Sequence, residues 1–253
     1  RSTLFPYTTL FRSRDAFTSS ISCAIAPNIP MFLFIFSRFC GAKIKNLTFA
    51  KNYSMKKICI FCGSSMGFDL IYKEKAAELG SILADHQCEL LYGGGSVGLM
   101  KVIADVMMER GCKVTGTITQ HLLDMRVGHP EIDELIVVET MAERKKILED
   151  MADGFIALPG GIGTMDEFFE AYVLSQLRIV DKPVALYNVN GYYDGLVQFI
   201  GKMTEEGFMR KEHADNLIVS SDPEELLEKM EQFQPADVTK WVVQIKEQVK
   251  EHI

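Results

Sequence analysis

Gly154-Phe155-Ile156-Ala157-Leu158-Pro159-Gly160-Gly161-Ile162-Gly163-Thr164-Met165-Asp166-Glu167 changes character halfway along its length. Its first half is a short apolar run of the kind that forms a buried strand. Pro159 ends that strand, and Gly160 and Gly161 open a turn. Thr164 can cap the following helix or donate to an anion at its start, where free backbone N–H groups gather. Glu167 then lies about one turn into the helix, beside whatever the turn holds. Acids in a first helical turn also interact favourably with the helix dipole, and Asp166 and Glu170 need no more than that. Glu167 taken alone is balanced between the two readings.

The same alternation extends outward in both directions. Apolar runs predict strands at Lys57–Cys62, Glu89–Tyr92, Lys113–Ile118, Leu135–Val138, Gly154–Leu158, Val184–Asn188 and Leu217–Val219. Amphipathic stretches predict helices at about Leu70–His86, Val97–Arg110, Met141–Met151, Thr164–Leu177, Tyr193–Thr204 and Pro223–Phe233. This is the pattern of one α/β domain built on a doubly wound parallel sheet. A last amphipathic segment, Val238–Val249, is expected to pack against the domain or a partner subunit. In such sheets ligands bind beyond the carboxyl ends of the strands, at the switch point. Gly63-Ser64-Ser65, Gly93-Gly94-Gly95 and Pro159–Thr164 all fall at such ends. Together they describe a phosphate-bearing ligand better than any one of them does.

Charge divides the chain. Of 27 Lys/Arg and 34 Asp/Glu, seven and one fall in residues 1–54, leaving 20 and 33, a net of −13, for the remainder. Residues 1–54 show no sustained periodicity, and Arg1–Ser13 resembles translated sequencing-adapter sequence. They are expected to be a non-native or disordered extension, with Met55 as the true start of a domain spanning 55–253. Met31–Phe36 is far shorter than the roughly 20 residues of a membrane span. Pro27 and Pro30 interrupt any secretory signal. A cytoplasmic protein without a membrane partner is expected. An acidic domain also argues against a nucleic-acid partner, which calls for a basic surface or an electropositive stripe with stacking aromatics.

Cys59-x-x-Cys62 lies within an apolar run and has no second such pair at zinc-site spacing, so buried, reduced thiols are expected and no metal. Gly93-x-Gly95-x-x-Gly98 matches the dinucleotide fingerprint only formally. It follows the second strand, and the acid expected about 20 residues on is missing. No cofactor is expected. Glu143-Arg144-Lys145-Lys146 opens a helix, where bases oppose the dipole and gain little structurally. Contacts to phosphate or ribose are the functional reading, with Arg144 first because its guanidinium suits planar recognition. His86 reads as a helix end, and His213 and His252 read as exposed. His121 and His129, in the long loop Thr119–Glu134, read as solvated.

Pro159–Glu167 matches PGGxGTxxE, and Met141-Ala142-Glu143-Arg144-Lys145 matches an upstream MHxRK element. Together they resemble the LONELY GUY (LOG) family of cytokinin riboside 5′-monophosphate phosphoribohydrolases, many bacterial members of which are called AMP nucleosidases. Older descriptions named the same proteins possible lysine decarboxylases. The resemblance extends over residues 56–233 and takes in Cys62–Ser65, Tyr92–Met100, Lys182-Pro183 and Asn188–Asp194. It implies a Rossmann-like homodimer that hydrolyses the N-glycosidic bond of AMP or a cytokinin nucleotide, releasing free base and ribose 5-phosphate. Arg144 and Glu167 would be the catalytic pair. The binding set would be Lys145, Gly160, Gly161, Ile162, Gly163, Thr164, Ser64, Gly94, Gly95 and Met141. Ala142 stands for the usual His, Lys101 for a Gly, Val173 for a common Thr, and Arg126 for a substrate-contacting Glu. These departures bear on base preference.

The alternative is a non-catalytic nucleotide-binding or carrier protein of the same fold, which would not need both Arg144 and Glu167. A pyridoxal-phosphate decarboxylase would need a Schiff-base lysine in a much larger framework.

Overall fold

A computed structural model describes residues 55–236, so the expectations for residues 1–54 and for the amphipathic segment Val238–Val249 lie outside the described residues. Seven strands form one parallel sheet: β1 (Lys57–Phe61), β2 (Glu89–Tyr92), β3 (Val114–Thr119), β4 (Glu134–Val138), β5 (Gly154–Ala157), β6 (Val184–Tyr187) and β7 (Ile218–Ser220). The helices between them are α1 (Leu70–Asp85), α2 (Gly98–Glu109), α3 (Gln120–Asp124), α4 (Met141–Met151), α5 (Ile162–Gln176), α6 (Asp194–Glu205), α7 (Lys211–Asp215) and α8 (Pro223–Glu231). The strand order β4-β3-β2-β1-β5-β6-β7 makes this a doubly wound, Rossmann-like α/β fold. α3 and α7 were not expected. Each is little more than one turn, too short to show a helical period.

Chain order reverses between β1 and β5, which pair from Ile58↔Gly154 to Phe61↔Ala157. Beyond that pair the amide of Gly63 donates to the Pro159 carbonyl at 3.1 Å, tying the two turns together at the switch point. To reach β5 from β4, at the far edge, the chain runs through α4, which lies against β3, β2 and β1. This crossover carries Arg144 from the edge of the sheet to its middle.

Side chains alternate along the central strands between two cores. Ile58, Ile60 and Cys62 join Leu79, Ile103 and Leu226, from α1, α2 and α8. Cys59 and Phe61 join Leu148, Phe168 and Ile200, from α4, α5 and α6 on the opposite face. Cys59 and Cys62 therefore point into different layers and cannot hold one ion between them. Phe61 and Phe155 stack at 5.8 Å inside the second core, with Phe155 fully buried. Phe155→Ala is expected to cost about 3–5 kcal/mol, read as a lower urea midpoint with an unchanged slope. No helix among the described residues is long and apolar enough to cross a membrane.

Candidate functional site

At the carboxyl ends of β1 and β5, Ser64, Met66, Tyr72, Gly160, Gly161 and Tyr192 help to line a cleft of about 280 Å³. Its wall is fixed by Tyr192, whose hydroxyl donates to the Gly160 carbonyl at 2.6 Å and whose ring meets Tyr72 edge-on. α5 begins at the floor of this turn. Gly161 is its N-cap and supplies no side-chain bond, and the first helical bond runs from the Met165 amide to the Gly161 carbonyl at 3.1 Å. The amides of Ile162, Gly163 and Thr164 thus have no partner within the helix. Thr164 is buried beneath Gly160, so tightly that a side chain at Gly160 would strike its hydroxyl. Ile162 is 87% exposed, outside the cleft.

The second turn, after β2, faces another neighbour. Gly94 accepts from the His129 amide at 2.8 Å, Gly95 forms a bridge with Gly128, and Ser96 donates to Val127 at 2.8 Å. Gly94 and Gly95 therefore meet the loop after α3 rather than lining the cleft. His129, expected to be solvated, is buried, with Nε2 3.1 Å from Asp105 and Nδ1 accepting from the Glu131 amide. His213 is buried as well, and loss of solvent holds its pKa below the usual value. Both pack against residues distant in sequence, which periodicity does not reveal. Arg126, exposed on the same loop, sits at φ +59°, a left-handed conformation uncommon for any residue but glycine.

The glycines of Gly93-x-Gly95-x-x-Gly98 have local reasons. Gly98 (φ +56°) packs so closely on Ser64 that a Cβ would lie 2.3 Å from its backbone carbon. Gly93 leaves room for Arg144: a Cβ there would lie 2.0 Å from Nη2.

Arg144 itself is placed by the start of α4. A capping box closes that end, with Thr140 Oγ1 accepting from the Glu143 amide at 3.2 Å and Glu143 accepting from the Thr140 amide at 3.1 Å. Glu143 is thus occupied with capping. The next residue turns inward. Arg144 Nε donates to the Thr117 carbonyl at 2.8 Å, Nη1 lies 3.1 Å from Glu167 Oε1, and the sulfur of Met141 accepts from Nη1 at 3.7 Å. The two side chains are only 9% and 11% exposed. Burial pushes the Glu167 carboxyl above the ordinary carboxylate range, against the pull of Arg144. Lys145 reaches across to α5, with Nζ on Asp166 at 3.0 Å and on Glu170. Lys146 pairs with Asp150 on the solvated face. A buried Arg–carboxylate pair thus stands one helical turn from a set of unsatisfied amides at the switch point.

Residues 100–230 match the family described as "Possible lysine decarboxylase". A cytokinin riboside 5′-monophosphate phosphoribohydrolase of Arabidopsis thaliana is 41% identical over 180 residues, covering 71% of this chain and 84% of that one. A probable cytokinin riboside 5′-monophosphate phosphoribohydrolase of Oryza sativa subsp. japonica is 42% identical over 180 residues, covering 71% and 74%. The chain belongs to the LOG family.

Solved structures carry the same fold. The molybdenum cofactor binding protein from Rippkaea orientalis matches with a TM-score of 0.53 at 22% identity, over 68% of this LOG-family chain and 93% of that protein. The molybdenum cofactor carrier protein from Chlamydomonas reinhardtii matches with a TM-score of 0.51 at 23% identity, over 70% and 96%. At that identity the likeness concerns the fold alone. Sequence reasoning missed Tyr72 and Tyr192 as walls of the cleft and Gly93 as the seat of Arg144. Asn188–Asp194 lay within the family resemblance, but no residue type there pointed to Tyr192.

Proposed function

We propose that the protein hydrolyses the N-glycosidic bond of a purine riboside 5′-monophosphate, an AMP or cytokinin nucleotide, to free base and ribose 5-phosphate. The observation that carries this reading is the buried Arg144–Glu167 pair, 3.1 Å apart, one turn into a helix that opens on Gly160 and Gly161. Cleavage of this bond builds oxocarbenium character on the ribose and negative charge on the departing base. The Glu167 carboxylate stabilises that cation, attacks it, or activates the water that does. Arg144, a guanidinium that does not give up a proton in proteins, orients Glu167 and the ribose rather than acting as an acid. The purine takes its proton from water. The amides of Ile162–Thr164, with Ser64 across the turn, hold the 5′-phosphate, and that remote anchor positions the sugar.

The named relatives are phosphoribohydrolases, which favours hydrolysis over the carrier reading. Beside Glu167, Schiff-base chemistry would need a lysine with a depressed pKa, whereas hydrogen bonding to Glu170 raises that of Lys145; Lys182, whose pKa burial lowers, donates instead to the Glu149 and Asp150 carbonyls. A homodimer is part of the proposal: α5 bears an apolar groove of about 550 Å³ with Ile162 and Val173 exposed along it. So is a cytoplasmic location, in keeping with the free thiols of Cys59, Cys62, Cys88 and Cys112.

The phosphate anchor gives the test. With AMP and adenosine as paired substrates, kcat/KM for base release is expected to be about 10²-fold or more lower for adenosine. Equal turnover of the two would remove the phosphate from the mechanism. Tight binding of AMP and isopentenyladenosine monophosphate without release of base would instead favour the carrier.

A further inference from the structure

α4 and α5 face one another through five charged side chains, and the pairing between them is divided. Arg144 takes Glu167, while Lys145, the next residue, takes Asp166 and Glu170, which flank Glu167 on α5. Asp166 and Glu170 are 55% and 39% exposed, and ion pairs of that kind contribute little to stability. Two carboxylates on one ammonium is also more than pairing the helices requires. Its effect is electrostatic. An ammonium already shared between two carboxylates has little left with which to neutralise a third.

We infer that Glu170 is a positioning residue for the reaction: by holding Lys145 on itself and on Asp166, it keeps that ammonium away from Glu167 and leaves Arg144 as the cation that meets the reacting carboxylate. The inference rests on the reading of Glu167 as the reacting group. It gives Lys145 a task separate from the nucleotide contact implied by family resemblance.

The other groups around Glu167 support the same arrangement. Cys59 shares the second core with α5 and Cys62 follows β1 on the other face; burial first, and then the Glu167 charge, pushes both thiols upward, so both are neutral. From α4, Glu149 is buried near Glu170, with its carboxyl raised first by burial and then by that neighbour. Burial is the main cause of the elevated Glu167 carboxyl. Arg144 opposes it, Asp166 and Glu170 add to it, and Lys145 subtracts. A carboxylate kept more basic in this way is a better acceptor of a proton from water.

Two substitutions should act in opposite directions. Glu170→Gln removes a negative neighbour and frees Lys145 to turn toward Glu167, so the Glu167 carboxyl should titrate at lower pH than in the wild type. Lys145→Met removes the ammonium and leaves Asp166 and Glu170 unopposed, so it should titrate at higher pH. Glu170→Asp, which keeps the charge, should restore the wild-type value. The measurement is a carboxyl-carbon NMR titration of the full chain labelled at its glutamates, with the Glu167 resonance assigned by its loss in Glu167→Gln. Mere loosening of the helix contact would hydrate Glu167 and lower both variants together. That result, or no movement in either, would overturn the inference. In the same proteins the acid limb of kcat/KM for base release should follow the titration. If no monophosphate is turned over, the proposed function fails, while the opposed shifts still decide the role of Glu170.

Discussion

Glu167→Gln is expected to lower kcat for base release by on the order of 10³-fold or more while leaving nucleotide affinity within a few-fold of the wild type. Glutamine keeps the size of the side chain and an oxygen that can accept from Arg144 Nη1, which lies 3.1 Å from the carboxylate it replaces. What it loses is the negative charge that meets the developing oxocarbenium ion. The phosphate anchor sits elsewhere, on the opening amides of α5, so binding should survive. Calorimetric titration with AMP, alongside steady-state release of adenine, separates the two effects. Turnover retained in the variant would remove Glu167 from the chemistry.

Gly93→Ala is expected to reduce kcat/KM by about 10²-fold, close to the effect of Arg144→Met, with little change in melting temperature. The new methyl would lie 2.0 Å from Arg144 Nη2, so the guanidinium must leave its seat between the Thr117 carbonyl and Glu167. The backbone of Gly93 is not in the left-handed region, and the obstacle is the end of a flexible side chain, so the fold should accept alanine. Gly201→Ala, in open space on α6, is the control: it should leave kcat/KM unchanged and raise the melting temperature slightly, as alanine does in a helix interior. An active Gly93→Ala enzyme would mean that this placement of Arg144 is not the one catalysis uses.

The sheet was legible in the sequence because its inner strands are buried on both faces. Continuous apolar runs such as Ile58–Cys62 and Phe155–Leu158, each ending in glycine or proline, mark both strand and turn. The switch point follows from those turns, and the structure joins two of them through Gly63 and Pro159. Less visible was what depends on side chains meeting across the fold. The burial of His129 depends on Asp105 in α2, and nothing near either residue announces the other. α3 and α7 are too short for periodicity to register. Glu143-Arg144-Lys145-Lys146 reads as a single charge run, yet its members part into a cap, a buried guanidinium, a bridge to α5 and a solvated ion pair. Local chemistry favoured Arg144, but that it would lie against Gly93 and Thr117 depends on how far α4 crosses the sheet.

The most direct test of the account is product stoichiometry. Full-length protein is incubated with AMP and, separately, with isopentenyladenosine monophosphate, and base, ribose 5-phosphate, nucleoside and inorganic phosphate are all quantified. The account predicts base and ribose 5-phosphate appearing one for one from at least one of these nucleotides, with no inorganic phosphate. Both nucleotides recovered intact, or nucleoside and phosphate released in place of base, would contradict it.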